Sequence, residues 1–265
     1  MVESRQEALT HELERLIDER TEQLRASEKK LLQQVQESEK ARLAMLYMLE
    51  DMNESAQLLK ESEQNLLESH GNIKKALAGT IEAISMAVEV RDPYTAGHQQ
   101  RVADLACAIS REMGQNKAFI EGIHMSASIH DIGKIHLPSE ILTKPTMLTE
   151  MERKLVETHP EVGYNILKNI DSPWPLADIA HQHHERMDGS GYPQGLKGEE
   201  ICLEARIVAV ADVVEAIASH RPYRPGLGVD AALEEIEMNR GSLFDPAVVD
   251  ACLKLFRTKG YVLEY

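Results

Sequence analysis

The 265-residue sequence predicts an all-α protein in which a long N-terminal helix precedes a globular helical domain. Three observations carry this expectation. Residues 1–70 contain no glycine and no proline, and the good helix formers Glu, Gln, Lys, Arg, Leu and Ala dominate them. Beyond them, capping residues, prolines and glycines punctuate apolar runs at helical spacing. Few stretches alternate polar and apolar residues as a half-buried strand would.

In the first segment apolar residues recur at helical steps: Leu9, Leu13 and Ile17, then Leu24 and Leu31 at sevens, and later Leu59, Leu66 and Ile73. Leu43, Leu46, Leu49 and Met52 keep threes between them, which suggests a phase shift rather than one heptad train. A lone helix of this length has nothing to cover its apolar stripe. The spacing therefore predicts a parallel dimeric coiled coil over residues 1–72, about 100 Å long at 1.5 Å per residue. Gly71-Asn72 marks a local break, and residues 73–265 form the globular domain.

Ile73 to Val90 reads as a helix stopped by Asp92-Pro93. Thr95 caps the next helix, which carries His98 and ends at Gly114. Ala118 to Ile129 delivers His130-Asp131 at its C-terminal end. Thr149 with Glu152 is a capping box, and that helix runs to His159, where Pro160 breaks it. Another helix spans Glu161 to Asn169, and Pro173 and Pro175 open one ending in His181-Gln182-His183-His184. Asp188 to Gly198 is a glycine-rich loop. Leu203 to Ser219 is an apolar helix containing Asp212, and Asp245-Pro246 starts a last helix to about Phe256.

The formal net charge of −15 disfavours DNA or RNA polymers as partners. Cys107, Cys202 and Cys252 are widely spaced and form no CxxC pattern, so they read as reduced and structural. No apolar run reaches the length of a membrane span, and the N-terminus is charged from Glu3 onward, without a signal-peptide core. These features lead us to expect a cytoplasmic protein.

The chemistry-bearing residues are His98, His130, Asp131, His159, His183, His184 and Asp212. Neutral imidazole and carboxylate suit first-row divalent metals such as iron, manganese, nickel or zinc. Asp212 lies inside Val208-Ala209-Val210-Ala211-Asp212-Val213-Val214, where a carboxylate is costly unless paired or metal-bound. His11, His70, His124, His136, His181 and His220 read as ordinary histidines.

Taken together, His130-Asp131-Ile132-Gly133-Lys134, His183-His184-Glu185 and Asp188-Gly189-Ser190-Gly191-Tyr192-Pro193 resemble the signature of HD-GYP domains, a subgroup of the HD phosphohydrolases. Asp92 to His98, His159-Pro160, Val210-Ala211-Asp212 and Arg221-Pro222-Tyr223-Arg224 fit the same pattern, so the resemblance covers about residues 73–258. It implies an HD-type helical metallohydrolase that opens a cyclic dinucleotide, cyclic di-GMP before 3′,3′-cyclic GMP-AMP, by hydroxide attack at a binuclear metal site. It implies two divalent ions, iron or manganese, one on His98, His130 and Asp212 and the other on His159, His183 and His184, with Asp131 between them. Some members hold a third ion through a glutamate where this chain has Tyr94, so two ions are expected.

By the same resemblance, Asp131 and Lys134 are catalytic, and Lys134, Arg221, Arg224 and Tyr192 contact substrate. Tyr192 is expected either to stack on a base or to anchor its loop. Glu185 is expected to orient a ligand histidine, and Glu215, where many members have aspartate, to orient ligands or cap a helix. A GGDEF-domain protein is an expected partner at the glycine-rich loop. The competing readings are a catalytically silent nucleotide- or partner-binding module and an HD phosphohydrolase acting on mononucleotides.

Overall fold

The structure is a computed structural model that describes residues 2–91, 97–219 and 226–263. Those residues contain ten α-helices and no β-strand. By contacts they divide into two compact units, Met1–Asn72 and Ile73–Tyr265. No helix among them is long and apolar enough to cross a membrane.

Helix α1 is Val2–Glu89. Gly71-Asn72 does not interrupt it, because glycine within a helix costs only about 1 kcal/mol against alanine and strong helix formers flank it. Ile17, Leu24, Leu31, Met45, Met52, Leu59 and Leu66 share a single seven-residue phase, with Ser38 the one polar residue in it, and all seven apolar side chains are exposed.

In the second unit, α2 (His98–Glu112), α3 (Lys117–Ala127), α8 (Leu203–Ala218), α9 (Val229–Met238) and α10 (Pro246–Lys259) surround the main core. Helix α8 is its centre, with Ile207, Val208, Val210, Ala211 and Val214 fully buried. A second cluster, including Ile81, Val88, Ile129, Ile132, Leu167 and Leu176, lies beneath α6 (His159–Leu167) and α7 (Leu176–Gln182). The remaining helices are the short α4 (Ser139–Leu142) and α5 (Glu150–Val156).

Several boundaries follow from local chemistry. Thr149 and Glu152 form the capping box that opens α5. Asn116 caps α3 by accepting from Phe119 N, and Asp245 caps α10 by accepting from Ala247 N and Val248 N. Pro160 does not end a helix as expected. Helix α5 stops at Val156, and Pro160 lies in the first turn of α6, where its missing N–H costs nothing. Thr95 lies outside the described residues. The N-terminus of α2 is held by Glu89, which accepts from Gly97 N at 2.9 Å and Gln99 N at 3.3 Å. Helix α9 was not anticipated: its N-cap is Gly228 with no side-chain cap, although Val229, Ala232, Leu233 and Ile236 keep helical spacing.

Candidate metal centre

The seven predicted ligands come from five helices. His98 begins α2, and His130-Asp131 follow α3 and lead into a 3-10 turn, Ile132–His136. His159 begins α6, His183-His184 follow α7, and Asp212 projects from α8. Gly133 makes one of these approaches feasible. A Cβ there would lie 1.9 Å from His159 O and 2.6 Å from Gly163 N, so only glycine lets the His130-Asp131 corner rest on the start of α6.

Three of the histidines are oriented in the same way. His130 Nδ1 donates to Ala127 O at 2.7 Å, His159 Nδ1 to Val156 O at 2.7 Å, and His183 Nδ1 to Ala180 O at 2.9 Å. Each acceptor lies in the last turn of a helix, where carbonyls lack intrahelical partners. The proton therefore resides on Nδ1 and leaves the Nε2 lone pair free to bind a cation. His98 uses a carboxylate for this purpose: its Nδ1 is hydrogen-bonded to Glu215 Oε2. Glu215 is fully buried and also accepts from Arg101 Nε at 2.8 Å and Ser219 Oγ at 2.7 Å. Glu215 thus fixes the orientation of the His98 ring.

The ligand atoms converge in two groups, Asp131, His159, His183 and His184 in one and His98, His130 and Asp212 in the other. Asp131 faces both. Its Oδ1 lies 3.1 Å from His159 Nε2 and 3.7 Å from His183 Nε2. Its Oδ2 lies 3.5 Å from His130 Nε2 and 3.9 Å from His98 Nε2. Asp212 Oδ1 lies 3.2 Å from His98 Nε2 and 4.0 Å from His130 Nε2. His98 Nε2, His130 Nε2 and Asp131 Oδ1 are buried without a well-aligned hydrogen bond. Polar atoms buried in this way are costly unless a cation satisfies them, so the donor set fits divalent metal.

The electrostatics agree. Burial lowers the pKa of His130 to about 4 and also lowers those of His183 and His184, which keeps their lone pairs available. Burial opposes charge on His98 as well, but its bonds to Asp212 and Glu215 outweigh it and raise the pKa to about 9. A cation at Nε2 would take the place of that proton between the same carboxylates. Burial opposes the charge of Asp131, yet Lys134 and the surrounding histidines hold its pKa well below the usual range. Lys134 Nζ is paired with Asp131 Oδ2.

The Glu185 carboxylate accepts from Gln194 N, Gly195 N and Leu196 N, and among the described residues no hydrogen bond joins it to a ligand ring. Tyr192 stacks on His184, with ring centroids 4.8 Å apart and planes at 29°. Of the other histidines, His136 bridges Gly133 O and Thr158 Oγ1, and His181 stacks on Tyr164. Arg221, Arg224, Tyr94 and His220 lie outside the described residues.

A family model described as the HD domain matches residues 82–248. The chain belongs to the HD domain family. Within that family its motifs and relatives make it an HD-GYP protein. The chain is 41% identical over 218 residues to the cyclic di-GMP phosphodiesterase response regulator RpfG of Xanthomonas campestris, covering 81% of this chain and 58% of that one. It is 45% identical over 177 residues to a cyclic di-GMP phosphodiesterase of Thermotoga maritima, covering 66% and 48%. It is 37% identical over 174 residues to 3′3′-cGAMP-specific phosphodiesterase 3 of Vibrio cholerae, covering 66% and 38%. The chain therefore spans about half the length of the curated relatives it matches.

Proposed function

We propose that this HD-GYP protein is a metal-dependent phosphodiesterase that linearises a cyclic dinucleotide, cyclic di-GMP first. The observation that carries the reading is the division of Asp131, one oxygen toward each group of ligands. His98, His130 and Asp212 would hold one divalent ion, and His159, His183 and His184 a second, with Asp131 shared. Bound ions of this kind supply positive charge for phosphate oxygens and acidify water toward neutrality.

The chain's own residues do the rest. Helix-end carbonyls fix the tautomers of His130, His159 and His183, and Glu215 holds Nδ1 of His98. Lys134, a compact positive charge beside Asp131, keeps that carboxylate ionised and would contact a phosphate oxygen of the substrate. Arg221 and Arg224 would add planar guanidinium contacts to phosphate or a guanine edge. With Tyr94 at the position of a third-ion ligand, the count stays at two. The relatives named for cyclic di-GMP support that substrate, and the Vibrio cholerae relative supports 3′3′-cGAMP as a second reading. We further propose that α1 pairs with α1 of a second copy. A GGDEF-domain partner would meet the exposed Asp188, Ser190 and Gln194.

The test is hydrolysis of both dinucleotides by anaerobically purified protein loaded with Fe(II) or Mn(II), with identification of the products. Wild type should open cyclic di-GMP, and Asp131→Asn and His130→Ala should each lower turnover at least about 100-fold while helical content is kept. No turnover of either dinucleotide with any first-row metal would reject the reading.

A further inference from the structure

Six of the seven ligand side chains are held by hydrogen bonds or ion pairs within the site. His184 is the exception. Among the described residues no hydrogen bond to its ring is present, and it is only partly buried. Three rings lie against it: His183 at 4.1 Å, His159 edge-on at 5.0 Å and Tyr192 stacked at 4.8 Å. A ligand imidazole that can rotate about its χ2 bond pays for ordering when it binds, so something must hold its plane.

The Tyr192 loop is itself tied down from beneath the site. Glu185, next in sequence to His184, is 2% exposed. Its carboxylate accepts from three consecutive backbone amides, Gln194 N at 2.7 Å, Gly195 N at 3.2 Å and Leu196 N at 3.0 Å. Three N–H groups converging on one buried carboxylate make a strong, charge-assisted anchor. Gly191 adds a backbone contact that excludes any side chain, since a Cβ there would lie 2.4 Å from Glu185 Cα and from Arg186 N. Tyr192 N donates to His184 O at 3.4 Å. The segment from His184 to Leu196 thus closes on itself, with Tyr192 set over the imidazole.

We propose that Glu185 and Tyr192 are positioning residues that form a strap setting the ring of His184 for the cation shared with His159 and His183. The inference rests on the two-ion reading above. The aromatic face of Tyr192, not its hydroxyl, does the positioning, and Glu185 acts through the loop. The strap serves one ion and leaves the His98–His130–Asp212 group untouched.

The test is metal stoichiometry without substrate. Full-length wild type, Tyr192→Leu, Tyr192→Phe and Glu185→Gln are dialysed against graded free Mn(II), and bound metal per chain is measured. Wild type should take up two ions. Tyr192→Leu should keep the first at wild-type affinity and bind the second about 10- to 100-fold more weakly. Tyr192→Phe, which keeps the ring, should restore wild-type binding, and Glu185→Gln should weaken only the second ion. Thermal unfolding of the metal-free proteins should show Tyr192→Leu and Tyr192→Phe alike. Unchanged second-ion affinity in Tyr192→Leu, or failure of Tyr192→Phe to restore it, would overturn the strap. Fewer than two ions in wild type would overturn the two-ion reading and the strap together. Two ions in wild type without hydrolysis would count against the phosphodiesterase reading alone.

Discussion

Gly133 shows how one missing methyl group can build a site. Its backbone touches that of His159 and Gly163, and no rotamer change could relieve a clash between main chains. Gly133→Ala should therefore destabilise the protein by roughly 2–4 kcal/mol, measured by urea unfolding, and weaken metal binding by pushing the two ligand corners apart. A loss under 0.5 kcal/mol would count against this packing. The cysteines illustrate the opposite case, residues that the chemistry leaves alone. Burial raises Cys107 and Cys202 to about 11 and Cys252 to about 12. Below these values the thiols stay protonated, so at pH 8 a thiol reagent should modify the native protein roughly 100-fold more slowly than the unfolded chain. Reactivity should climb only as the pH approaches 11. Fast labelling of all three at pH 8 would contradict their burial.

At the scale of elements, most of the ligand helices matter at their ends. Ala127, Val156 and Ala180 offer last-turn carbonyls that would otherwise need water, and His130, His159 and His183 each lie three residues beyond one of them. Helix α8 differs because it presents Asp212 from its middle, and the apolar run from Val208 to Val214 around it made that carboxylate conspicuous in the sequence. Helix α1 carries its own prediction. In a parallel, in-register pair the phase of Ile17 to Leu66 forms the seam. With that phase as position a of the heptad, Glu37 faces Arg42 of the second copy. Leu59→Cys, on the seam, should cross-link into a covalent dimer under mild oxidation, whereas Gln57→Cys, on the outer face, should not. A monomer by analytical ultracentrifugation would remove the pairing.

Across the whole molecule, the candidate centre ties together segments more than 100 residues apart, from His98 to Asp212. Ions bound there should act as a staple on the native state. At a hundred times the dissociation constant the gain is about 2.7 kcal/mol, or roughly 5–10 °C in melting temperature for a domain of this size. Adding Mn(II) should raise the transition by that amount and EDTA should reverse it. An unchanged melting curve would show that the ligands do not hold metal together. The ligand residue types and the helical class were legible because His-Asp and His-His pairs, a lone aspartate in an apolar run and glycine-free heptads are local patterns. The partners of Glu185 were not, because they are backbone amides, which every residue carries and no motif marks.

The chain by itself determined which side chains could bind a cation, that the fold would be helical and that α1 would carry an apolar heptad phase. Only the tertiary structure decided how Asp131 divides its two oxygens, that Glu215 steadies His98 from 117 residues away, and that Tyr192 rests on His184. The reason is physical. Propensity and periodicity act over a few residues, whereas the aim of a buried side chain is set by whichever remote neighbours the core packing brings within hydrogen-bond or van der Waals reach.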